Sequence, residues 1–153
     1  MPVTILVPRG NSVEKNAAMR ALGAELVEHG EDFQAAREEA QRRAQARGLE
    51  MVPAFHPDLV LGVATYALEL LTAVPDLDTL YVPIGQGSGV CGCVAVRDLL
   101  NRRTEIVGVQ STAAPAFALS FAAGRVVTTE TCDTRADGMA TRVPDPEALA
   151  IIL

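Results

Sequence analysis

The chain has 153 residues, 49% hydrophobic and 21% charged, with a net charge of −6 and an isoelectric point near 4.9. That is enough apolar material for the core of one globular domain, or of a piece of a larger one. The acidic balance, without any cluster of Lys or Arg, argues against a nucleic-acid surface or an anionic membrane as partner. No apolar run approaches the length of a membrane span, and the N-terminus lacks the features of a signal peptide. A cytoplasmic location and small-molecule chemistry are therefore expected. Cys91, Cys93 and Cys132 are odd in number and lack paired C-x-x-C spacing, so they predict reduced thiols and no zinc site. Lys15 is the only lysine.

In chain order, Val3 to Val7 reads as a strand stopped by Pro8. Asn11 or Ser12 is placed to cap a helix in which Val13, Ala17, Ala18, Ala21 and Leu22 recur at helical spacing, with Gly23 as its stop. Ala24 to Val27 predicts a second strand. Asp32 caps a helix to about Arg47, with Phe33, Ala36, Ala40 and Ala44 inward and the pairs Glu38–Arg42 and Glu39–Arg43 on a solvated face. His29 reads as a loop histidine. Gly48 ends this helix, Glu50 to Val52 predicts a short strand, and Pro53-Ala54-Phe55-His56-Pro57 marks a boundary.

From Asp58 a helix is expected to about Leu71, with Leu59, Gly62, Val63, Tyr66 and Leu70 along one face. Tyr66 and Glu69 read there as helix packing and a helix-end hydrogen bond. A strand over Leu80 to Ile84 follows, then a glycine-dense loop, a helix from Val90 to Leu100 and a strand from Thr104 to Val109. A short helix around Ala116 to Ala123 ends at Gly124, and the pattern then weakens. Strands alternating with helices predict an α/β fold, a parallel sheet with flanking helices. The start directly on a strand and the apolar end, Ala148 to Leu153, lead us to expect a piece of something longer.

The loop Gly85-Gln86-Gly87-Ser88-Gly89 lies between a strand and a helix. Glycine leaves no Cβ between peptide N–H groups and an oxyanion, and the first turn of the following helix offers N–H groups that lack partners. The loop is read as a phosphate cradle. Gly87-Ser88-Gly89-Val90-Cys91-Gly92 also matches the dinucleotide-binding pattern G-x-G-x-x-G, which requires an acidic residue about 20 residues on; Gln110 stands there.

Five collinear blocks sharpen this reading: Arg9-Gly10-Asn11-Ser12-Val13-Glu14-Lys15, Arg20-Ala21-Leu22-Gly23-Ala24-Glu25, Gly62-Val63-Ala64-Thr65-Tyr66-Ala67-Leu68-Glu69, Pro83-Ile84-Gly85-Gln86-Gly87-Ser88 and Ala136-Asp137-Gly138. Together they resemble the middle of the threonine/serine dehydratase and serine racemase family, fold-type II enzymes that use pyridoxal 5′-phosphate, with a tryptophan synthase β-like architecture. The resemblance implies that Gly85, Gln86, Gly87, Ser88 and Gly89 bind the cofactor phosphate and that Gly138 lies close to the cofactor. It implies residues 1–52 as part of a small mobile domain and 53–153 as part of a large cofactor-binding domain. It further implies a homo-oligomer acting on a small hydroxy amino acid of the L-threonine or L-serine type, with loss of water and ammonia to give a 2-oxo acid.

The departures also carry expectations. Relatives commonly carry four consecutive glycines where Gly85-Gln86-Gly87-Ser88 stands, so side chains are expected to narrow the cradle, with the Ser88 hydroxyl available to the phosphate. Gln110 and Ala116 replace carboxylates that bind a divalent cation in some relatives, so no metal is expected. The family's Schiff-base lysine belongs to a Ser-x-Lys-x-Arg-Gly motif that this sequence lacks, and Lys15 matches an ordinary helix-surface lysine. Cys132 precedes Ala136-Asp137-Gly138, whereas the residue that contacts the pyridine nitrogen in relatives follows it. No catalytic residue is assigned, and the chain alone is expected to be inactive. The alternatives are a Rossmann-like nucleotide-binding module, a catalytically empty module for phosphorylated ligands, or a non-functional remnant.

Overall fold

The computed structural model describes all residues from Met1 to Leu153. They form two compact units, Met1–Val52 and Pro53–Leu153. Each unit contains a two-stranded parallel ladder with flanking helices.

In the first unit, β1 (Thr4–Val7) and β2 (Glu25–Glu28) pair in parallel from Thr4 opposite Glu25 to Val7 opposite Glu28. Between them runs α1 (Val13–Ala21), whose cap is Ser12: its hydroxyl accepts from the Lys15 N–H at 3.3 Å. The regularly spaced apolar residues of α1 face solvent, Val13 and Leu22 at more than 80% exposure. The buried residue is Asn16, whose Oδ1 accepts from Asn11 Nδ2 at 2.6 Å. A buried amide is tolerated because it has this partner.

The next helix, α2 (Phe33–Arg47), is capped by Asp32, which accepts from the Ala35 N–H at 2.9 Å, and ends in the left-handed Gly48. Its buried side is Ala36 and Ala44, and α2 packs on β1. Glu39 takes both arginines, Arg42 at 2.6 Å and Arg43 at 2.7 Å. The predicted Glu38–Arg42 pair gives way to this fork, and Glu38 accepts from Gln34 at 2.8 Å. Residues 50–52 form no strand.

The second unit opens with α3 (Pro57–Ala73), capped by His56, whose Nδ1 accepts from the Asp58 N–H at 3.2 Å. It continues through β3 (Thr79–Pro83), α4 (Ser88–Leu99), β4 (Glu105–Val109), α5 (Ala116–Ala123), a single 3-10 turn at Asp137–Met139 and α6 (Pro146–Ile152). β3 and β4 pair in parallel from Thr79 opposite Glu105 to Pro83 opposite Val109. The core gathers Leu71, Val82, Cys91, Cys93 and Phe117, with Phe55 and Leu149 closing it.

The helix α3 buries Val60, Ala67 and Leu71. This face is rotated by one position from the predicted one, and Leu59 and Tyr66 are exposed. The cause is α4. At Gly92 a Cβ would lie 3.1 Å from the Ala64 nitrogen and 3.3 Å from the Val60 carbonyl oxygen, so the two helices meet backbone to backbone. Only the side of α3 that carries small residues permits that approach.

Two leucines of α3 test this phase. Leu71 is fully buried and Leu61 is 69% exposed. Leu71→Ala is expected to cost about 2–5 kcal/mol in chemical denaturation, and Leu61→Ala less than about 0.5 kcal/mol.

Candidate functional site

The glycine loop leaves β3 at Pro83, and the ladder is prolonged by the Ile84 N–H donating to the Val109 carbonyl at 2.9 Å. The helix α4 begins at Ser88, two residues before the predicted start, so Ser88 and Gly89 already belong to its first turn. Its cap is Gly87, with φ of 105° and no side chain to receive an N–H. The first bond inside the helix runs from the Cys91 N–H to the Gly87 carbonyl at 3.0 Å. The N–H groups of Ser88, Gly89 and Val90 therefore precede the helical ladder, at the end where the helix dipole favours an anion.

A distant segment grips this loop. An ideal Cβ on Gly85 would lie 2.3 Å from the Gly138 carbonyl oxygen, and one on Gly87 would lie 2.6 Å from Ala148 Cβ. Thr141 Oγ1 donates to the Gly85 carbonyl at 3.3 Å, and Gln86 Nε2 donates to the Val143 carbonyl at 3.4 Å. Cys91 Sγ donates to the Ala148 carbonyl at 3.6 Å. Residues 138–148 thus form a strap over Gly85 to Gly87. No spacing rule announces Thr141, Val143 or Ala148 as loop partners, because they stand more than fifty residues away.

The structure brings Gly138 to Gly85, while space remains at two of the sequence-selected positions. A Cβ on Gly89 would meet nothing nearer than Tyr66 Oη at 3.6 Å, and one on Gly138 would meet nothing within 4 Å. Gln86 Oε1 is buried without a protein partner. Open space, first-turn N–H groups without a cap and the positive end of a helix suit a phosphomonoester.

Gln110 has a structural place here. Its Oε1 accepts from the Ala118 N–H at 2.9 Å, capping α5 in place of Pro115, and its Nε2 donates to the Ile84 carbonyl at 3.4 Å. Both ends of the amide are engaged within the fold, which weakens the dinucleotide reading. Tyr66, expected as simple packing, reaches α4: its Oη lies 3.1 Å from Cys93 Sγ and 3.4 Å from the Gly89 carbonyl oxygen. Burial, then the bond to Cys93, pushes the Tyr66 hydroxyl up to about 12. Burial, and secondarily Asp145, pushes the Cys91 thiol up to about 11, and burial also raises Cys93. Lys15 and His56 serve at helix starts, Lys15 through its backbone N–H and His56 through its ring.

The chain matches the family model described as pyridoxal-phosphate dependent enzyme over residues 1–153. It is 32% identical to an L-threonine ammonia-lyase of Thermotoga maritima over 145 residues, covering 94% of this chain and 36% of that protein. It is 31% identical to an L-threo-3-hydroxyaspartate ammonia-lyase of Saccharomyces cerevisiae over 153 residues, covering 99% of this chain and 47% of that one. The structure of processed threonine deaminase isoform 2 from Solanum lycopersicum superposes with a TM-score of 0.86 at 28% identity, over 98% of this chain and 44% of that one. The chain spans between about a third and a half of the length of these relatives.

Two outcomes test this geometry. Gln110→Glu removes the donor to Ile84 and sets a carboxylate against a carbonyl. It is expected to destabilise the unit by about 1–3 kcal/mol at neutral pH. The loss should shrink as pH falls through the carboxyl range, because the protonated acid again donates, and a loss that grows on acidification would contradict the assignment. Cys91 and Cys93 are expected to resist a disulfide-exchange reagent at pH 8 until denaturant is added, as counted by released thiolate.

Proposed function

The chain belongs to the pyridoxal-phosphate dependent enzyme family, and we propose that it forms the phosphate-gripping part of a hydroxy amino acid dehydratase acting on L-threonine or L-serine. The observation that carries this reading is the first turn of α4, free of any side-chain cap behind Gly85–Gly89. It stands in a chain that aligns along nearly its whole length with proteins named for threonine and hydroxyaspartate ammonia-lyase activity. In this reading Gly85, Gln86, Gly87, Ser88 and Gly89 hold the cofactor phosphate and Gly138 borders the cofactor. Met1–Val52 is part of the small mobile domain, and Pro53–Leu153 part of the cofactor-binding domain.

Bound pyridoxal phosphate would supply the electron sink for converting a hydroxy amino acid into a 2-oxo acid and ammonia. The residues of this chain bind and orient. The N–H groups of Ser88 and Gly89 would donate to the phosphate, the dipole of α4 would favour its negative charge, and the strap holds the donors in place. No residue between 1 and 153 is assigned the α-proton, since Lys15, the sole lysine, sits exposed in the first turn of α1. A cytoplasmic, homo-oligomeric enzyme completes the reading, drawn from the resemblance; no helix is long and apolar enough to cross a membrane. A binding module for other phosphorylated ligands is the second reading, favoured by a cradle of first-turn N–H groups and helix dipole that recognises a phosphate whatever carries it.

The 153-residue polypeptide is expected to gain thermal stability with pyridoxal 5′-phosphate and to release no 2-oxobutanoate from threonine. Borohydride should fix no pyridoxyl group on Lys15, and Ser88→Asp should abolish the thermal response by placing a carboxylate in the cradle. A pyridoxyl group on Lys15 would make that residue the catalytic amine and overturn the assignment. An equal response to unrelated sugar phosphates would favour the second reading.

A further inference from the structure

Tyr66 stands outside the glycine loop, on α3, yet its hydroxyl meets the loop's helical end. The close approach of α3 and α4 at Gly92 brings Tyr66 alongside the first turn of α4. From there Oη lies 3.4 Å from the Gly89 carbonyl oxygen and 3.1 Å from Cys93 Sγ, one helical turn further on. An ideal Cβ on Gly89 would stand in ordinary contact with Oη at 3.6 Å, and only a longer side chain would compete for the space that the hydroxyl occupies. Cys93 is fully buried, so the contact is anchored on the protein side, while Tyr66 itself is 45% exposed.

We propose that Tyr66 is a positioning residue for phosphate binding: its hydroxyl ties the Gly89 carbonyl to Cys93 and holds the first turn of α4 in register before a ligand arrives. The need follows from the local sequence. Gly87 and Gly89 flank Ser88, glycine gives up the most backbone freedom on ordering, and helix ends fray. A first turn that must be ordered by its ligand binds that ligand more weakly than one already ordered. Tyr66 does this without touching the phosphate, and its assignment rests on the reading of Gly85–Gly89 as the phosphate site.

The experiment compares the full chain with Tyr66→Phe, which keeps the ring and removes the hydroxyl. Each is titrated calorimetrically with pyridoxal 5′-phosphate and with pyridoxal, which lacks the phosphate. The expected result is an affinity for the phosphorylated ligand about threefold to tenfold weaker in the variant, with pyridoxal binding unchanged. Hydrogen exchange of the unliganded variant should be faster at residues 91–93, whose N–H groups bond to the carbonyls of the first turn, and unchanged at residues 94–97. Equal phosphate affinity in both chains, or unchanged exchange at residues 91–93, would overturn the role of Tyr66 while leaving the phosphate site standing. A wild-type chain that does not distinguish the two ligands would overturn the phosphate site itself, and the role of Tyr66 with it.

Discussion

At Gly85 the backbone passes so close to the Gly138 carbonyl that any Cβ would lie 2.3 Å from its oxygen. The contact closes a loop of more than fifty residues, which costs chain entropy. Burial around it offsets that cost: Phe117, Cys91, Ala148 and Leu149 are all at most 3% exposed, and they pack where the strap meets α4. Glycine at position 85 is therefore explained by the fold before any ligand is considered. The strap in turn fixes the loop, so the N–H groups at the head of α4 are held in place by the fold itself.

The second close approach, at Gly92, arranges the helices themselves. Because α4 meets α3 through Ala64 and the Val60 carbonyl, α3 must present its small-residue side. That choice expels Leu59, turns Leu71 inward and leaves Tyr66 at the margin with its hydroxyl on α4. A single glycine thus decides which aromatic group stands beside the glycine loop. The same low-dielectric packing keeps Cys91 and Cys93 as thiols of raised pKa, inert in the core.

Two amides illustrate how chemistry follows from partners and not from position in a motif. Gln110 both donates and accepts, joining the end of β3 to the start of α5, a task for which a carboxylate lacks the proton. Gln86 gives its N–H to Val143 and keeps a buried oxygen without a protein partner. A buried acceptor of this kind raises the energetic weight of whatever donor reaches it.

From β1 to α5 the amino-acid sequence by itself determined nearly all the elements, their order and most of their ends, because those depend on neighbours a few residues apart, whereas α6 went unread. Ser12 and Asp32 accept from the third residue on, Gly48 and Gly124 take the left-handed conformation that closes a helix, and the strand–glycine–helix passage at Pro83 to Val90 is legible from spacing alone. The five collinear blocks likewise carried the family. The tertiary structure alone decided which face of α1 and α3 is buried, that Arg42 turns to Glu39, that α4 starts at Ser88, that residues 50–52 stay irregular, and that residues 138–148 strap the loop. In α3, where apolar residues stand on every side, periodicity leaves the phase open by one position, and the backbone approach at Gly92 resolves it. Contacts such as Gly85 to Gly138 or Tyr66 to Cys93 join residues whose separation along the chain leaves no local trace, so only folding brings them together.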